Sequence, residues 1–378
     1  MLATPQSPSV EKRLAASPLS DKNVSAFRRA LLRWYDKNRR ALPWRKTRDP
    51  YRIWISEIML QQTRVAAVLE HYRLFLQRFP NVKTLAAASE SAVLAAWSGL
   101  GYYRRARMMR QCAQKIVADH RGRFPRTSQS LQSLPGIGRY TAAAIASIAF
   151  AEPVAVVDGN VERVLERLAG RSLTQKNFWQ QAQSLLDQSR PADFNQSMME
   201  LGALVCTPRQ PKCNACPVKK WCATQGEAPR IQSPQSQSRK EIWYTLDERD
   251  AHIRLVQRPA KSSMMASMWE LPQAFPTAHI SQVGLTASTK RTAAKRRKTA
   301  AHGVSRGSLP EYDKAPKGRK KASDAHWRTF RHCITTTNYT AHVIRGSVNQ
   351  GKRIPINKIS QMPITGLTRK ILKAAGII

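Results

Sequence analysis

The sequence predicts two domains of different class, an all-α region over residues 24–224 and an α+β region over residues 241–378. Three observations predict that division. From Val24 apolar residues recur at helical spacing, with Phe27, Leu31, Leu32, Trp34 and Tyr35 as the first stripe, and few strand-like alternations interrupt the pattern before Cys222. Residues 225–240 are rich in Gln, Ser and Pro, the composition of a linker. Beyond them EIWYTLDERDAHIRLVQRP and TNYTAHVIRG alternate as β-strands do, with helical turns near the C-terminus.

Composition narrows the partner. Against 63 Lys plus Arg stand 24 Asp plus Glu, a formal net charge of +39 that attracts polyanions strongly and in a salt-dependent way. Nucleic acid is the expected ligand. The 42% hydrophobic content suffices for real cores, and with no run of eighteen apolar residues no membrane span is expected. Residues 1–23 lack an apolar signal core and read as a flexible lead-in, so a cytoplasmic protein is expected, nucleoid-associated if bacterial. Residues 286–321 carry twelve Lys or Arg against Glu311 and Asp313. That stretch is expected to be a disordered basic arm within the second domain, touching phosphates without sequence preference.

Several segments carry chemistry. In Leu42-Pro43-Trp44-Arg45 and the following Pro50-Tyr51-Arg52-Ile53-Trp54-Ile55-Ser56-Glu57-Ile58-Met59-Leu60-Gln61-Gln62-Thr63-Arg64-Val65, one carboxylate, Glu57, stands among apolar neighbours on a helix. An acid so placed has its pKa raised and suits a proton donor at neutral pH. Leu134-Pro135-Gly136-Ile137-Gly138-Arg139-Tyr140-Thr141 precedes the apolar helix AAAIASIAF. Gly136 and Gly138 permit a tight hairpin whose backbone amides approach a phosphate, although a turn between core helices would look similar. Val157-Asp158-Gly159-Asn160-Val161 opens a further helix, where Asp158 and Asn160 suit N-caps. Four of six cysteines, Cys206, Cys213, Cys216 and Cys222, crowd together with gaps of six, two and five residues. Thiolates at that spacing hold zinc or an iron–sulfur cluster, and spacing alone does not choose between them. Cys112 and Cys333 stand apart and read as buried small residues.

The long string around Glu57, together with Gly99-Leu100-Gly101-Tyr102-Tyr103-Arg104-Arg105-Ala106, closely resembles the signature of the MutY-type adenine DNA glycosylases, a branch of the endonuclease III helix-hairpin-helix superfamily. The match runs nearly unbroken from about Leu31 to Cys222. The resemblance implies two all-α lobes, one with the hairpin and Glu57, the other with Asp158 and a [4Fe–4S] cluster on the four cysteines. It implies a monomer that excises adenine opposite 8-oxoguanine or guanine in duplex DNA after flipping the nucleoside out. Glu57 would be the acid that protonates adenine and later helps activate water, and Asp158 the carboxylate that stabilises the sugar cation. Tyr140 and Asn160 would orient the sugar and Asp158, while Gln62 and Tyr102 would wedge into the base stack. Where the lyase branch has a lysine this chain has Tyr140, which forms no Schiff base, so hydrolysis without strand cleavage is expected. A lyase for oxidised pyrimidines and a non-catalytic cluster-bearing DNA-binding protein are the competing readings. Tyr140 speaks against the first, and the retention of both Glu57 and Asp158 against the second.

The second domain resembles the Nudix-like mispair-recognition domain of the same family through Arg258-Pro259, Met268-Trp269-Glu270-Leu271-Pro272, Phe330-Arg331-His332 and Leu367-Thr368-Arg369-Lys370-Ile371-Leu372. It has no pyrophosphatase box. Where the family places a Phe-Ser-His loop on 8-oxoguanine, this chain has Ile334-Thr335-Thr336. Thr335 keeps a hydroxyl for DNA contact but Thr336 offers no imidazole, so weaker discrimination between 8-oxoguanine and guanine is expected.

Overall fold

The computed structural model describes residues 21–225, 238–274, 326–334 and 337–378. Residues 1–20, most of the expected linker, the basic arm, Thr335 and Thr336 lie outside them. Helices follow one another through the first segment: α1 (Asp21–Asn38), α2 (Pro50–Leu60), α3 (Val65–Arg78), α4 (Val82–Ala87), α5 (Glu90–Trp97), α6 (Arg104–His120), α7 (Ser128–Leu131), α8 (Arg139–Phe150), α9 (Gly159–Ala169), α10 (Gln175–Leu185) and α11 (Pro191–Leu204). Beyond them come β1 (Ser238–Leu246), β2 (Glu248–Arg249), β3 (His252–Gln257), β4 (Trp269–Glu270), β5 (Gln273–Ala274), β6 (His326–Ile334), β7 (Thr337–Arg345), β8 (Lys352–Pro355) and a last helix, α12 (Gly366–Ala374). No helix among the described residues is long and apolar enough to cross a membrane.

The helical segment builds two apolar cores. Around Trp54, Trp97, Phe75 and Leu94 the first collects α2 to α8, and it includes Leu134 and Ile137 of the hairpin. The second gathers Val157, Val161, Leu165, Phe178, Phe194 and Leu201, with Cys206, Cys216 and Cys222 partly buried against it. Each fully buried side chain of this size contributes about 1.5–3 kcal/mol. Although α1 comes first in the sequence, it packs into the second core. Phe27 meets Trp221 edge-on at 5.7 Å and Phe194 at 6.5 Å, and Arg28 donates to the carbonyls of Ser184 and Leu185. The stripe that predicts α1 is buried at Phe27, Leu31, Leu32 and Tyr35.

By internal contacts the chain forms two compact units that cut across residue 241. In its described residues the first joins the helices to Gln257–Glu270 and Pro355–Ile378, and the described residues of the second fall within 238–256 and 271–354. The Leu367–Leu372 string therefore packs with the helices: Thr365 caps α12, and Leu367, Ile371 and Leu372 are buried. In the second unit four strands run in the order β5-β1-β7-β6. β1 and β7 pair in parallel from Ser238 opposite Thr337 to Leu246 opposite Arg345, and the other pairs are antiparallel. Trp243 stacks on His342 across that pair at 4.4 Å. A tight turn through Asp250 and Ala251, both at positive φ, joins β2 to β3. Cys112 is buried as expected, but Cys333 is exposed, because on a two-faced strand an isolated cysteine carries no signal of which face it takes.

Candidate active site

Asp49 starts α2 by accepting from the Tyr51 amide at 2.9 Å, with Pro50 in the first turn. One turn further Ile53, Trp54, Ile55, Ile58 and Met59 are all buried, and Glu57 on the same helix is itself only 6% exposed. Burial pushes the Glu57 carboxyl up to about 7; the Tyr140 hydroxyl, donating to it at 2.6 Å, pulls the other way, and nearby Asp158 pushes it further up. Tyr140 keeps its proton, since burial and both carboxylates raise its pKa well above 10.

The hairpin places Tyr140. Gly136 sits at φ +74°, and a Cβ there would lie 2.8 Å from the Met108 Cβ, so both the turn and the close approach to α6 demand glycine. Gly138 caps α8 in extended conformation with no side-chain acceptor, leaving first-turn amides free for an outside anion. Asp158 caps α9, accepting from the amides of Asn160 at 3.0 Å and Val161 at 2.8 Å, while Asn160 Nδ2 donates to its other oxygen at 3.0 Å. The extended stretch before it is pinned where Gln183 accepts from the Ala155 amide and Asn195 from the Val156 amide. Arg163 donates to Asn160 Oδ1 and to the carbonyls of Gly202 and Cys206, linking the cap of α9 to the cysteine loop. Glu57, Tyr140, Asp158 and Asn160 all border one cavity of about 660 Å³.

Glu200 belongs to the same wall and was not singled out in the sequence. It is 1% exposed and takes both oxygens into two guanidinium forks, Arg40 at 2.6 and 2.9 Å and Arg45 at 2.9 Å twice. Those bonds outweigh burial and bring its pKa down to about 2. The signal that marks Glu57, an acid amid apolar neighbours, was also present around Glu200 between Met199 and Leu201.

Gln62 also borders the cavity that holds Glu57, and with Tyr102 it lines a further one. The two border this second cavity, of about 340 Å³, together with Gly136 and Arg105. Both are non-glycine residues at positive φ, 56° and 47°, and Tyr102 is 43% exposed. Arg105 ties their loops together by donating to the carbonyls of Ile58, Gln61, Leu100 and Gly101, with its guanidinium 5.5 Å from the Tyr102 ring centroid.

The four cysteines border one cavity with Val205 and the buried Arg167, whose Nη1 donates to Cys206 Sγ at 3.2 Å and whose carbonyl accepts from the Cys222 thiol at 3.2 Å. No three His, Cys, Asp or Glu among the described residues converge on one point as a single ion requires. Four thiols around a shared space, faced by a guanidinium, fit a group bound through thiolates.

The family model described as HhH-GPD superfamily base excision DNA repair protein matches residues 55–187, the stretch that holds Glu57, the hairpin, Tyr140 and Asp158. In a solved structure titled as a thermostable thymine-DNA glycosylase the same fold recurs, at TM-score 0.52 and 33% identity over 54% of this chain and 97% of that one. The adenine DNA glycosylase of Rattus norvegicus is 50% identical over 215 residues, which are 53% of this chain and 42% of that protein. That of Buchnera aphidicola subsp. Acyrthosiphon pisum is 36% identical over 262 residues, 66% of this chain and 73% of its own length. The chain belongs to the MutY-type adenine DNA glycosylases of the helix-hairpin-helix superfamily. It spans about two fifths of the length of the mammalian relatives, 42% in rat and 39% in human.

Proposed function

We propose that this protein removes adenine mispaired with 8-oxoguanine or guanine from duplex DNA, by hydrolysis and without strand cleavage. One observation carries the reading: a carboxyl group with its pKa near 7 shares a cavity with a second carboxylate fixed at a helix N-terminus. The flipped adenine enters that cavity, and Glu57 gives its proton to a ring nitrogen. The glycosidic electron pair leaves with the base, and Asp158 faces the positive charge that develops on the sugar. Water then attacks the sugar carbon and returns a proton to Glu57, which restores the acid. Tyr140 donates to the Glu57 carboxyl and favours the anion left when the proton is given up, and Asn160 steadies Asp158.

The hairpin amides after Gly136 and Gly138 take a backbone phosphate, while Gln62 and Tyr102 occupy the stack beside the mispair. Cys206, Cys213, Cys216 and Cys222 would hold a [4Fe–4S] cluster, which supplies structural order to the loop bearing Arg209, Lys212, Lys219 and Lys220. We read the second domain as Nudix-like, the protein as a monomer, and its site of action as the compartment that holds DNA. With Thr335 and Thr336 in the reading loop, discrimination between 8-oxoguanine and guanine is weaker than the family pattern implies.

Single-turnover excision on a duplex with adenine opposite 8-oxoguanine, followed by alkali, tests the reading. Release by the wild type but not by Glu57→Gln is expected, with borohydride trapping no complex. Tight binding without release by either protein would sink it. A strong preference for 8-oxoguanine over guanine would overturn the specificity claim alone.

A further inference from the structure

The loop between α5 and α6 holds three residues in the left-handed region within four positions, Gly99 at φ +109°, Gly101 at +70° and Tyr102 at +47°. For tyrosine that conformation costs on the order of 1 kcal/mol or more, so surrounding contacts must hold it. On one side Trp97 Nε1 donates to the Gly101 carbonyl at 3.0 Å, and Arg105 donates to the carbonyls of Leu100 and Gly101 at 3.1 and 3.2 Å. On the other side the contacts come from the far end of the chain. The Ser98 hydroxyl donates to the Ile364 carbonyl at 2.7 Å and accepts from Arg369 Nε at 2.9 Å. The Tyr103 hydroxyl donates to the same carbonyl at 3.4 Å. A Cβ at Gly99 would stand 3.0 Å from His71 Nε2 and 3.9 Å from Arg369 Cδ, so no slack remains beneath the loop.

The contacts at the far end are themselves fixed. The Trp269 amide donates to the Pro363 carbonyl at 2.8 Å, the Thr365 amide donates to the Trp269 carbonyl at 2.9 Å, and Ile364 and Thr365 are almost wholly buried. Arg369 is mostly desolvated, which lowers its pKa, and a cation is held there only at a cost. Its hydrogen bond to Ser98 is what that placement achieves.

We propose that residues 364–369 position the Tyr102 wedge: the Ile364 carbonyl and the Arg369 guanidinium clamp Ser98 and thereby hold residues 99–102 in the course that presents the tyrosine ring to DNA. The proposal rests on the reading of Tyr102 as a wedge. It gives the C-terminal helix a part in opening the base stack, separate from any recognition of the opposite base. Arg369 acts through Ser98 and touches no reacting atom.

The test is single-turnover excision together with stopped-flow fluorescence of 2-aminopurine beside the mispaired adenine, in wild type, Arg369→Met, Arg369→Lys, Ser98→Ala, Tyr102→Ala and the Arg369→Met/Tyr102→Ala double variant. We expect Arg369→Met and Ser98→Ala each to slow both the fluorescence rise and adenine release by roughly tenfold. Arg369→Lys recovers part of the loss, and in the Tyr102→Ala background Arg369→Met adds nothing further. Additive losses in the double variant, or a wild-type fluorescence rise in both Arg369→Met and Ser98→Ala, would overturn the proposal. Circular dichroism identifies a variant that fails to fold, and Ser98→Ala then carries the comparison. If Tyr102→Ala alone leaves the fluorescence unchanged while Glu57→Gln abolishes release, the wedge reading and this proposal fail together and the reading as an adenine-removing enzyme stands.

Discussion

Glu57 and Glu200 line one cavity and titrate in opposite directions, because one is buried beside a hydroxyl and the other between two guanidinium groups. For Glu57 the folded pKa, about 7, lies above the ordinary glutamate value of 4.5. Its contribution to stability is therefore fully present below pH 4.5 and lost as pH rises towards 7, a swing of about 3 kcal/mol. Excision should be flat below neutrality and fall tenfold per pH unit above about 7, measured as single-turnover rates across pH. Glu57→Gln, which keeps an acceptor for Tyr140 without a charge, should abolish excision yet raise stability by roughly 1–3 kcal/mol at pH 8 in urea unfolding. Glu200 carries the opposite sign: with a folded pKa of about 2, its contribution is present above pH 4.5 and lost on acidification towards 2. Glu200→Ala would leave Arg40 and Arg45 facing each other without their anion. A loss of about 3–5 kcal/mol at pH 7 is expected, shrinking as the pH falls.

The hairpin joining α7 to α8 matters through backbone conformation. Gly136 at φ +74° touches α6 at Met108, so Gly136→Ala meets both left-handed strain and overlap. It should cost about 1–3 kcal/mol in thermal unfolding and weaken duplex binding, since the amides beyond Gly138 lose their orientation. α9 behaves differently. Its cap is Asp158 itself, so Asp158→Asn keeps an N-cap acceptor while removing the charge that we propose faces the sugar. That variant should lose excision by more than a hundredfold with less than about 1 kcal/mol change in stability, and a large loss of stability would show that capping is its whole role.

Across the whole molecule the charge of +39 predicts steep salt dependence of DNA binding. Removing residues 286–321, with twelve basic residues against two acids, should flatten the slope of log affinity against log salt and leave bound-state excision unchanged. A slope that does not move would show that the arm does not touch phosphate. Clustered cysteines, a guanidinium on Cys206 and the Arg163 bonds to Cys206 and Asn160 connect the thiol loop to the cap of α9. With the proposed [4Fe–4S] cluster on the four cysteines, replacing Cys213 by serine should abolish the visible absorbance of the purified protein and destabilise the second helical core.

What could be read in the residue order was local chemistry. The cap at Asp158, the glycines of the hairpin, the apolar setting of Glu57 and the cysteine spacing are features whose partners lie within a turn or a loop. The tertiary structure decided the rest. Periodicity in α1 shows that a face is buried, but not that it is buried against Phe194 and Trp221, because a stripe carries no address. The composition shift near residue 240 marks a change of class, yet only packing shows that Gln257–Glu270 and Pro355–Ile378 join the helices. The last choice is electrostatic. Sequence supplies two carboxylates in apolar settings, and which one keeps its proton depends on guanidinium groups 155 and 160 residues away that only the fold brings to Glu200.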